Sequence, residues 1–449
     1  MKKNSVLAFF LLIALSAGLL PVRTAASEAP ELQCSSAVLM DAKYGELLYG
    51  KNANEKAYPA SLTKLMTALL TLEAIESGAV REDTAVAADV SATADLVQGA
   101  STLGIKTGSV LTVEELLYCM LLPSANEAAN MLASAVDGSI PDFVEHMNRR
   151  AGELGCRGTH FVNPHGLHDD QHYTTACDLA LIMVEDLKYE LFRTIISTAI
   201  HTIPATETHP EYYFFNTNAL ISNMYYQGYV YDKCIGGKTG RTDEAGRCLA
   251  AAAEDGDELF VSVVLGSGVI TDSAGKEKQG QFTESTKLLK WGFQNFERVT
   301  ITEEAKPVDK VTVTLSRQAD EVMVKPSGSI SRTMPVDLDP ESIEKEIILY
   351  SDTVEAPVQE GQVLGVMKLT CGGELYGTLD LVAVSSVERS DLLYKKAQFI
   401  EFFRTTWVKL LLGGIGILLL ILAVYLLVIR KKRRLRASRN RRRRPTRRP

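Results

Sequence analysis

Three short groups of residues in this chain carry side chains that could make and break an acyl bond. In Pro59-Ala60-Ser61-Leu62-Thr63-Lys64, a serine and a lysine lie three positions apart. Proline suits the turn before a helix. Apolar residues then recur at Leu62, Leu65, Met66, Leu69, Leu72 and Ile75, with Gly78 as the stop, so the spacing predicts a helix opened by this segment. On such a helix residues i and i+3 share a face, with Cβ atoms about 5–6 Å apart. A serine hydroxyl is a poor nucleophile until a base takes its proton. Lysine can be that base once burial or another cation lowers its pKa to roughly 7–8. A lone Ser-x-x-Lys is common in solvated helices, so its meaning depends on the groups later in the chain. Ser124-Ala125-Asn126 adds a second hydroxyl and a carboxamide, and Lys238-Thr239-Gly240 adds a cation, a hydroxyl and a position without Cβ.

A second Lys-Thr-Gly, Lys106-Thr107-Gly108, differs from the later copy only in its surroundings. It precedes Thr112-Val113-Glu114-Glu115, a capping box for an apolar helix over 116–122, so it belongs to a loop. Lys238-Thr239-Gly240 precedes two strand-like runs, 247–252 and 259–265, and is expected on a sheet edge, where a peptide can pair with free backbone groups.

The elements that must position these groups form a mixed α/β unit. Alternation around Lys43-Tyr44-Gly45 predicts a hairpin ahead of Ser61, and helices are expected over 127–136, 141–155, 176–187 and 283–293. Beyond Arg298 the pattern changes to short strands at 310–315, 346–350, 363–369 and 379–384, separated by Gly, Pro and acidic turns. That is the pattern of a separate small all-β domain with no convergent catalytic set. A helix is expected from 391 to 409, running into an apolar C-terminal stretch.

Both ends read as targeting segments. Lys2 and Lys3, the apolar run Val6–Leu20, Pro21 and the small residues Thr24-Ala25-Ala26 make a secretory signal peptide cleaved after Ala26. Residues 410–429 contain no charge and are long enough to cross a bilayer, and thirteen Lys and Arg come after them with no acid. The formal net charge of −7 conceals this tail: residues 27–404 hold 31 cations against 55 acids. The tail could be taken for a nucleic-acid-binding segment, but beside a membrane span it is explained as a positive-inside stop-transfer signal. The expectation is a single-pass membrane protein with its body on the extracytoplasmic face, its tail in the cytoplasm and no nucleic-acid partner. Seven scattered cysteines show no Cys-x-x-Cys pair. Cys119, Cys177 and Cys248 lie in apolar runs, and Cys34 is preceded by no lipobox.

The order Ser-x-x-Lys, Ser-x-Asn, Lys-Thr-Gly occurs in penicillin-binding proteins and serine β-lactamases. The surrounding residues make the chain resemble the D-alanyl-D-alanine carboxypeptidases: Tyr58–Thr67, Leu121–Ala129, Thr159–Leu167 and Gly236–Thr242 all match that pattern, and the likeness spans about 31–390, β domain included. It implies an α/β (α+β) domain of the serine penicillin-recognising transpeptidase/β-lactamase type, a small all-β membrane-proximal domain and a C-terminal transmembrane helix. The expected divisions are signal peptide 1–26, catalytic domain 27–298, β domain 299–390, helical linker 391–409, transmembrane helix 410–429 and tail 430–449.

The resemblance also implies roles. Ser61 would attack the penultimate D-Ala carbonyl of a peptidoglycan stem peptide, with Lys64 as base and Ser124 relaying the proton to the leaving amine. Asn126 would bind the substrate amide and orient Lys64. Lys238 and Thr239 would hold the terminal carboxylate, with Gly240 letting substrate lie against the strand and the backbone N–H groups of Ser61 and Arg241 holding the oxyanion. β-Lactams would acylate the same serine, and no cofactor or metal is called for. One departure stands out. Family members often carry an arginine just before the Phe of the closing helix, where Gln281 stands here, and Lys276, Lys278 or Arg241 are the cations to replace it.

Other readings fit less well. His160, His165, His168 and His172 lack a His-Glu-x-x-His spacing, and no Gly-x-Ser-x-Gly elbow is present. A serine β-lactamase would need a further deacylating glutamate, which the motifs do not place. A non-catalytic β-lactam sensor or peptidoglycan-binding module would need an output domain larger than a basic tail.

Overall fold

The computed structural model describes residues 28–441, except 98, 273, 305, 340, 341, 372 and 373. The signal-peptide segment and the last eight residues of the basic tail lie outside the described residues. The chain forms two compact units. The first takes the chain up to Val299 and also Ser331–Pro340; the second takes Thr300–Ile330 and the remainder. The first unit is therefore not one continuous stretch. Within it the Thr333 hydroxyl donates to the Asp41 carboxylate, and Arg332 meets Glu46 at 3.1 Å.

The first unit is built on a five-stranded antiparallel sheet. Its strands are β1 (Ser36–Asp41), β2 (Leu47–Lys51), β3 (Cys234–Thr242), β4 (Gly246–Asp255) and β5 (Glu258–Ser267), in the order β2-β1-β5-β4-β3. The expected hairpin is β1–β2, and the two runs before residue 268 are β4 and β5, each longer than its apolar core. Side chains alternate across the sheet, and both faces are covered. Val38, Met40, Ala250, Ala252, Val261 and Val263 face a large helical cluster. Ala37, Leu39, Leu249, Ala251, Phe260 and Val264 face the closing helix Gly280–Asn295. Burial on both faces is why β1 is apolar from Ala37 to Met40.

The helical cluster is α1 (Lys64–Glu76), α2 (Val113–Leu121), α3 (Asn126–Asp137), α4 (Ile140–Glu153), α5 (Ala176–Asp186) and α6 (Glu190–Ser197). Both bonds of the Thr112–Glu115 capping box form, at 3.2 and 2.8 Å. α3 stops at Gly138, whose φ of 78° is the left-handed geometry that a C-terminal stop requires. α6 escaped the sequence pattern, being a single amphipathic stretch of eight residues.

In the second unit a six-stranded sheet runs in the order 344–349, 363–371, 374–383, 321–326, 309–314, 353–355. Val311, Val313, Val322 and Val324 are buried while their neighbours face out, the alternation expected of a sheet with one packed face. The strand at 321–326 was not expected. After the sheet, helix Asp391–Arg404 ends at Thr405, which is extended (ψ 131°), and a second helix runs Thr406–Arg441. The expected continuous helix over 391–409 is therefore broken. Thr406–Leu435 is long and apolar enough to cross a membrane.

One buried group in the first unit costs stability. Asp186 ends α5, is fully buried, and neither carboxylate oxygen has a partner. Burial raises its pKa well above the ordinary carboxylate value, and the nearby acids Glu73 and Glu185 raise it further. Arg150 neutralises those two neighbours instead, at 2.7 Å to Glu73 and 3.8 Å to Glu185. A carboxyl group protonated in the fold but ionised when unfolded loses its stabilising contribution as pH rises above the unfolded pKa of about 3.9. Asp186→Asn should therefore leave the fold intact and add about 1 kcal/mol or more at pH 7. Denaturant titrations should show that advantage growing from pH 4 to pH 7; an advantage independent of pH would refute the buried-acid account.

Candidate active site

Ser61 lies in a 3-10 turn, Ala60–Thr63, rather than in the α-helix proper, which begins at Lys64. Ala60 holds the turn at φ 46°, a left-handed geometry unusual for a residue with a Cβ. The tighter turn still leaves Ser61 and Lys64 together: Lys64 Nζ is 3.2 Å from Ser61 Oγ. Lys64 is fully buried, and Nζ donates to Asn126 Oδ1 at 2.6 Å and to the His165 carbonyl at 2.8 Å. Burial pushes its pKa well below that of an ordinary lysine, and the cation of Lys238 pushes the same way against Glu127. Two contacts are to carbonyl oxygens, which only accept. A neutral amine spends both hydrogens there and turns its lone pair to the third partner, the Ser61 hydroxyl.

Ser124 precedes α3 with φ 70°, and its buried Oγ has no partner. Asn126 opens α3; its own N–H donates to the Ser101 carbonyl at 2.9 Å. Glu127, the next residue, is buried and its Oε1 accepts from Thr102 Oγ1 and the N–H groups of Leu103 and Gly104, at 2.6 to 2.9 Å. This ties the 101–105 loop to the start of α3.

Lys238, Thr239, Gly240 and Arg241 lie on β3, the edge strand, in register with Ala250, Leu249, Cys248 and Arg247 of β4. Lys238 is fully buried, which lowers its pKa to about 7, and its Nζ donates to the Thr239 carbonyl at 2.9 Å. Thr239 Oγ1 donates to Thr217 Oγ1 at 2.7 Å. Gly240 has a local task that the motif did not disclose. A Cβ there would stand 3.0 Å from the Pro59 carbonyl oxygen and 3.2 Å from the Ser61 nitrogen, so its absence lets the strand close against the serine turn. Ser61, Ser124, Thr239, Gly240 and Arg241 share one cleft of about 350 Å³, with Gln281 and Arg247 on its wall. A larger cleft of about 970 Å³, which shares Ser61, Ser101 and Arg241 with the first, includes Asn126 and His165. Of the cations suggested as replacements at Gln281, Arg241 alone lines the first cleft; Arg247 was not anticipated.

Sequence reasoning singled out the Thr159–Leu167 stretch but not its task, which belongs to the backbone. The Pro164 carbonyl accepts from Thr67 Oγ1 at 2.6 Å and the His165 carbonyl from Lys64, one helical turn apart on α1. Gly166, at φ 89°, passes so close to Ala60 that a Cβ would fall 1.8 Å from its carbonyl oxygen. His165 is buried, and its ring is fixed by Leu167 N–H donating to Nδ1 at 3.2 Å, so Nε2–H donates to Asp95 at 2.8 Å. Burial, mainly, lowers its pKa, as it lowers that of His172 to about 3. His172 takes Val162 N–H on Nδ1 and donates from Nε2 to Thr63 Oγ1, which donates to the Ala60 carbonyl. These two neutral histidines are structural struts of the serine turn.

The early copy, Lys106-Thr107-Gly108, lies on an exposed turn before the short strand Val110–Thr112, with Gly108 at φ 91°. It lines neither cleft.

Residues 23–268 match the family model of D-alanyl-D-alanine carboxypeptidases, and residues 296–389 match that of the penicillin-binding protein 5 C-terminal domain. The D-alanyl-D-alanine carboxypeptidase DacF of Bacillus subtilis is 34% identical over 84% of this chain and 90% of its own length. DacA of Escherichia coli K12 is 28% identical over 86% and 92%. Among solved structures, penicillin-binding protein 5 of Haemophilus influenzae aligns with TM-score 0.64 at 27% identity, covering 81% of this chain and all of that one.

The burial of Lys238 and the exposure of Lys106 generate a paired expectation. Lys238→Ala should lower D-Ala release from an N-acylated D-Ala-D-Ala peptide by about 100-fold or more. Lys106→Ala should stay within about 0.5 kcal/mol of wild-type stability and keep full turnover. Assays of both variants on one peptide check this, and a dead Lys106→Ala beside an active Lys238→Ala would reverse the assignment.

Proposed function

We propose, for a chain that belongs to the D-alanyl-D-alanine carboxypeptidase family, a mechanism in which Ser61 carries the acyl group of a peptidoglycan stem peptide. The observation that carries it is the buried Lys64 amine, held by two carbonyl acceptors with its remaining direction facing Ser61 Oγ. As Oγ attacks the penultimate D-Ala carbonyl, its proton passes to Nζ. The tetrahedral oxyanion is held by the N–H groups of Ser61 and Arg241; the close approach of Gly240 to the Ser61 nitrogen supports this pairing. Such donors are worth about 2.7–4 kcal/mol each. Collapse breaks the C–N bond, and the leaving D-Ala nitrogen takes a proton relayed from Lys64 through Ser124, whose unpartnered Oγ is available for the transfer. Asn126 orients Lys64 through Oδ1 and offers its amide to the substrate backbone. Lys238 and Thr239 receive the terminal carboxylate. Water then attacks the ester, giving its proton to Lys64, and Ser61 is restored.

The strained carbonyl of a β-lactam would occupy the same place and acylate Ser61. Peptidoglycan trimming, and through it cell shape, is the physiological task this implies. The C-terminal helix supports anchoring in the membrane, and the thirteen cations after residue 429 favour a cytoplasmic tail, leaving the body extracytoplasmic.

Ser61→Ala in the full-length chain should lose D-Ala release by about 10⁴-fold or more and lose all covalent labelling by a fluorescent penicillin. Labelling that persists and maps to Ser124 would sink the assignment. For topology, protease added to intact protoplasts should remove the body and spare a tag placed after Pro449; digestion of that tag from outside would show the reverse orientation.

A further inference from the structure

Arg241 and Arg247 stand directly opposite each other across β3 and β4. Directly opposed like charges destabilise an antiparallel pair, so a carboxylate is expected between them. Among the described residues neither guanidinium makes a hydrogen bond or an ion pair. Arg241 is exposed and solvated, but Arg247 is half-buried. Arg150, Arg193, Arg298 and Arg332 are half-buried too, and each meets a carboxylate: Glu73, Glu254, Asp257 and Glu46 respectively. Arg247 breaks that rule, and it does so on the wall of the cleft that holds Ser61 and Thr239.

Two further observations point to an anionic ligand there. Gln281, which faces the same cleft from the closing helix, is neutral, and its buried Oε1 has no partner. Lys238 is fully buried with its Nζ committed to the Thr239 carbonyl, and burial brings its pKa to about 7, so at neutral pH it is not a permanent positive charge. A guanidinium stays charged throughout and offers a planar fork that matches a carboxylate.

We propose that Arg247 is the permanent cation that recognises the substrate's free terminal α-carboxylate, and so restricts this enzyme to the last peptide bond of the chain. The proposal rests on the acyl-enzyme reading given above. Arg247 is a specificity residue on the second strand of the sheet, placed to offset the neutral Gln281.

The test uses the detergent-solubilised full-length chain and two probes: an N-acylated D-Ala-D-Ala peptide with a free carboxylate, and the same peptide as its C-terminal amide. In the wild type, kcat/KM should favour the free acid. Arg247→Gln should lower kcat/KM on the acid about 10-fold or more, chiefly through KM, and leave the amide unchanged, so that the preference collapses. Retained amide turnover also shows that the variant folds. Arg247→Lys should recover part of the preference. Equal losses on both peptides, or no loss on the acid, overturn the proposal. Calorimetric binding of both peptides to Ser61→Ala, with and without Arg247→Gln, reads the same preference without turnover. A wild-type chain that releases no D-Ala but loses acid-selective binding on Arg247→Gln would therefore overturn the hydrolytic reading and leave the recognition role standing.

Discussion

The structure of the site depends on keeping one amine dry. A lysine side chain removed completely from water is strongly disfavoured as an ammonium, and the least costly outcome is a lowered pKa with every remaining hydrogen satisfied. Lys64 meets that condition through partners from three separate segments: the serine turn, the start of α3 and the 163–167 loop. None of the three is optional. Without Asn126 Oδ1 or the His165 carbonyl, a buried N–H would be orphaned at a cost of about 1–3 kcal/mol, and the lone pair would no longer be directed at Ser61.

Bringing those segments together produces local strain, concentrated where they meet. Ala60 and Ser124 adopt left-handed backbone geometry without being glycine, which costs on the order of 1–3 kcal/mol each. Gly166 and Gly240 relieve what would otherwise be backbone collisions with Ala60, Pro59 and Ser61. The surrounding structure is rigid enough to hold this arrangement: the sheet is packed on both faces, α1 is buried along most of its length, and two neutral histidines brace the turn. The polar atoms left without partners include Ser124 Oγ and Gln281 Oε1, both beside the cleft that substrate would fill. An edge strand is ordinarily a liability for aggregation. Here β3 has no neighbouring strand on the side where the serine turn and its cleft lie, which leaves backbone groups there for the peptide of the proposed reaction.

Much of this was legible in the sequence because the chemistry sits in side chains at fixed short spacings. Ser61 with Lys64, Ser124 with Asn126, and Lys238 with Thr239 each lie within four residues, so the chain itself keeps each pair close although a 3-10 turn, a left-handed residue and a strand carry them. The capping box, the runs that became β4 and β5 and the apolar stretch at 410–429 were readable because each is a local pattern, although the helix break at Thr405 was not. Position in the chain also separated the two Lys-Thr-Gly copies: one sits on an exposed turn, the other on a sheet edge.

Only the tertiary structure decided the relations between residues distant in sequence, and the contributions made by backbone atoms, which any residue type can supply. The His165 carbonyl reaches Lys64 across 101 positions, and no side-chain motif encodes an acceptor that belongs to the main chain. Gly240 was legible as a residue without Cβ, yet only the fold showed that its missing Cβ makes room for the serine turn. Arg247 resembled any other cation in the sequence. Its half-buried place opposite Arg241, with no acid beside it, is a matter of strand register, which is set by the packing of both sheet faces rather than by the residues of one strand.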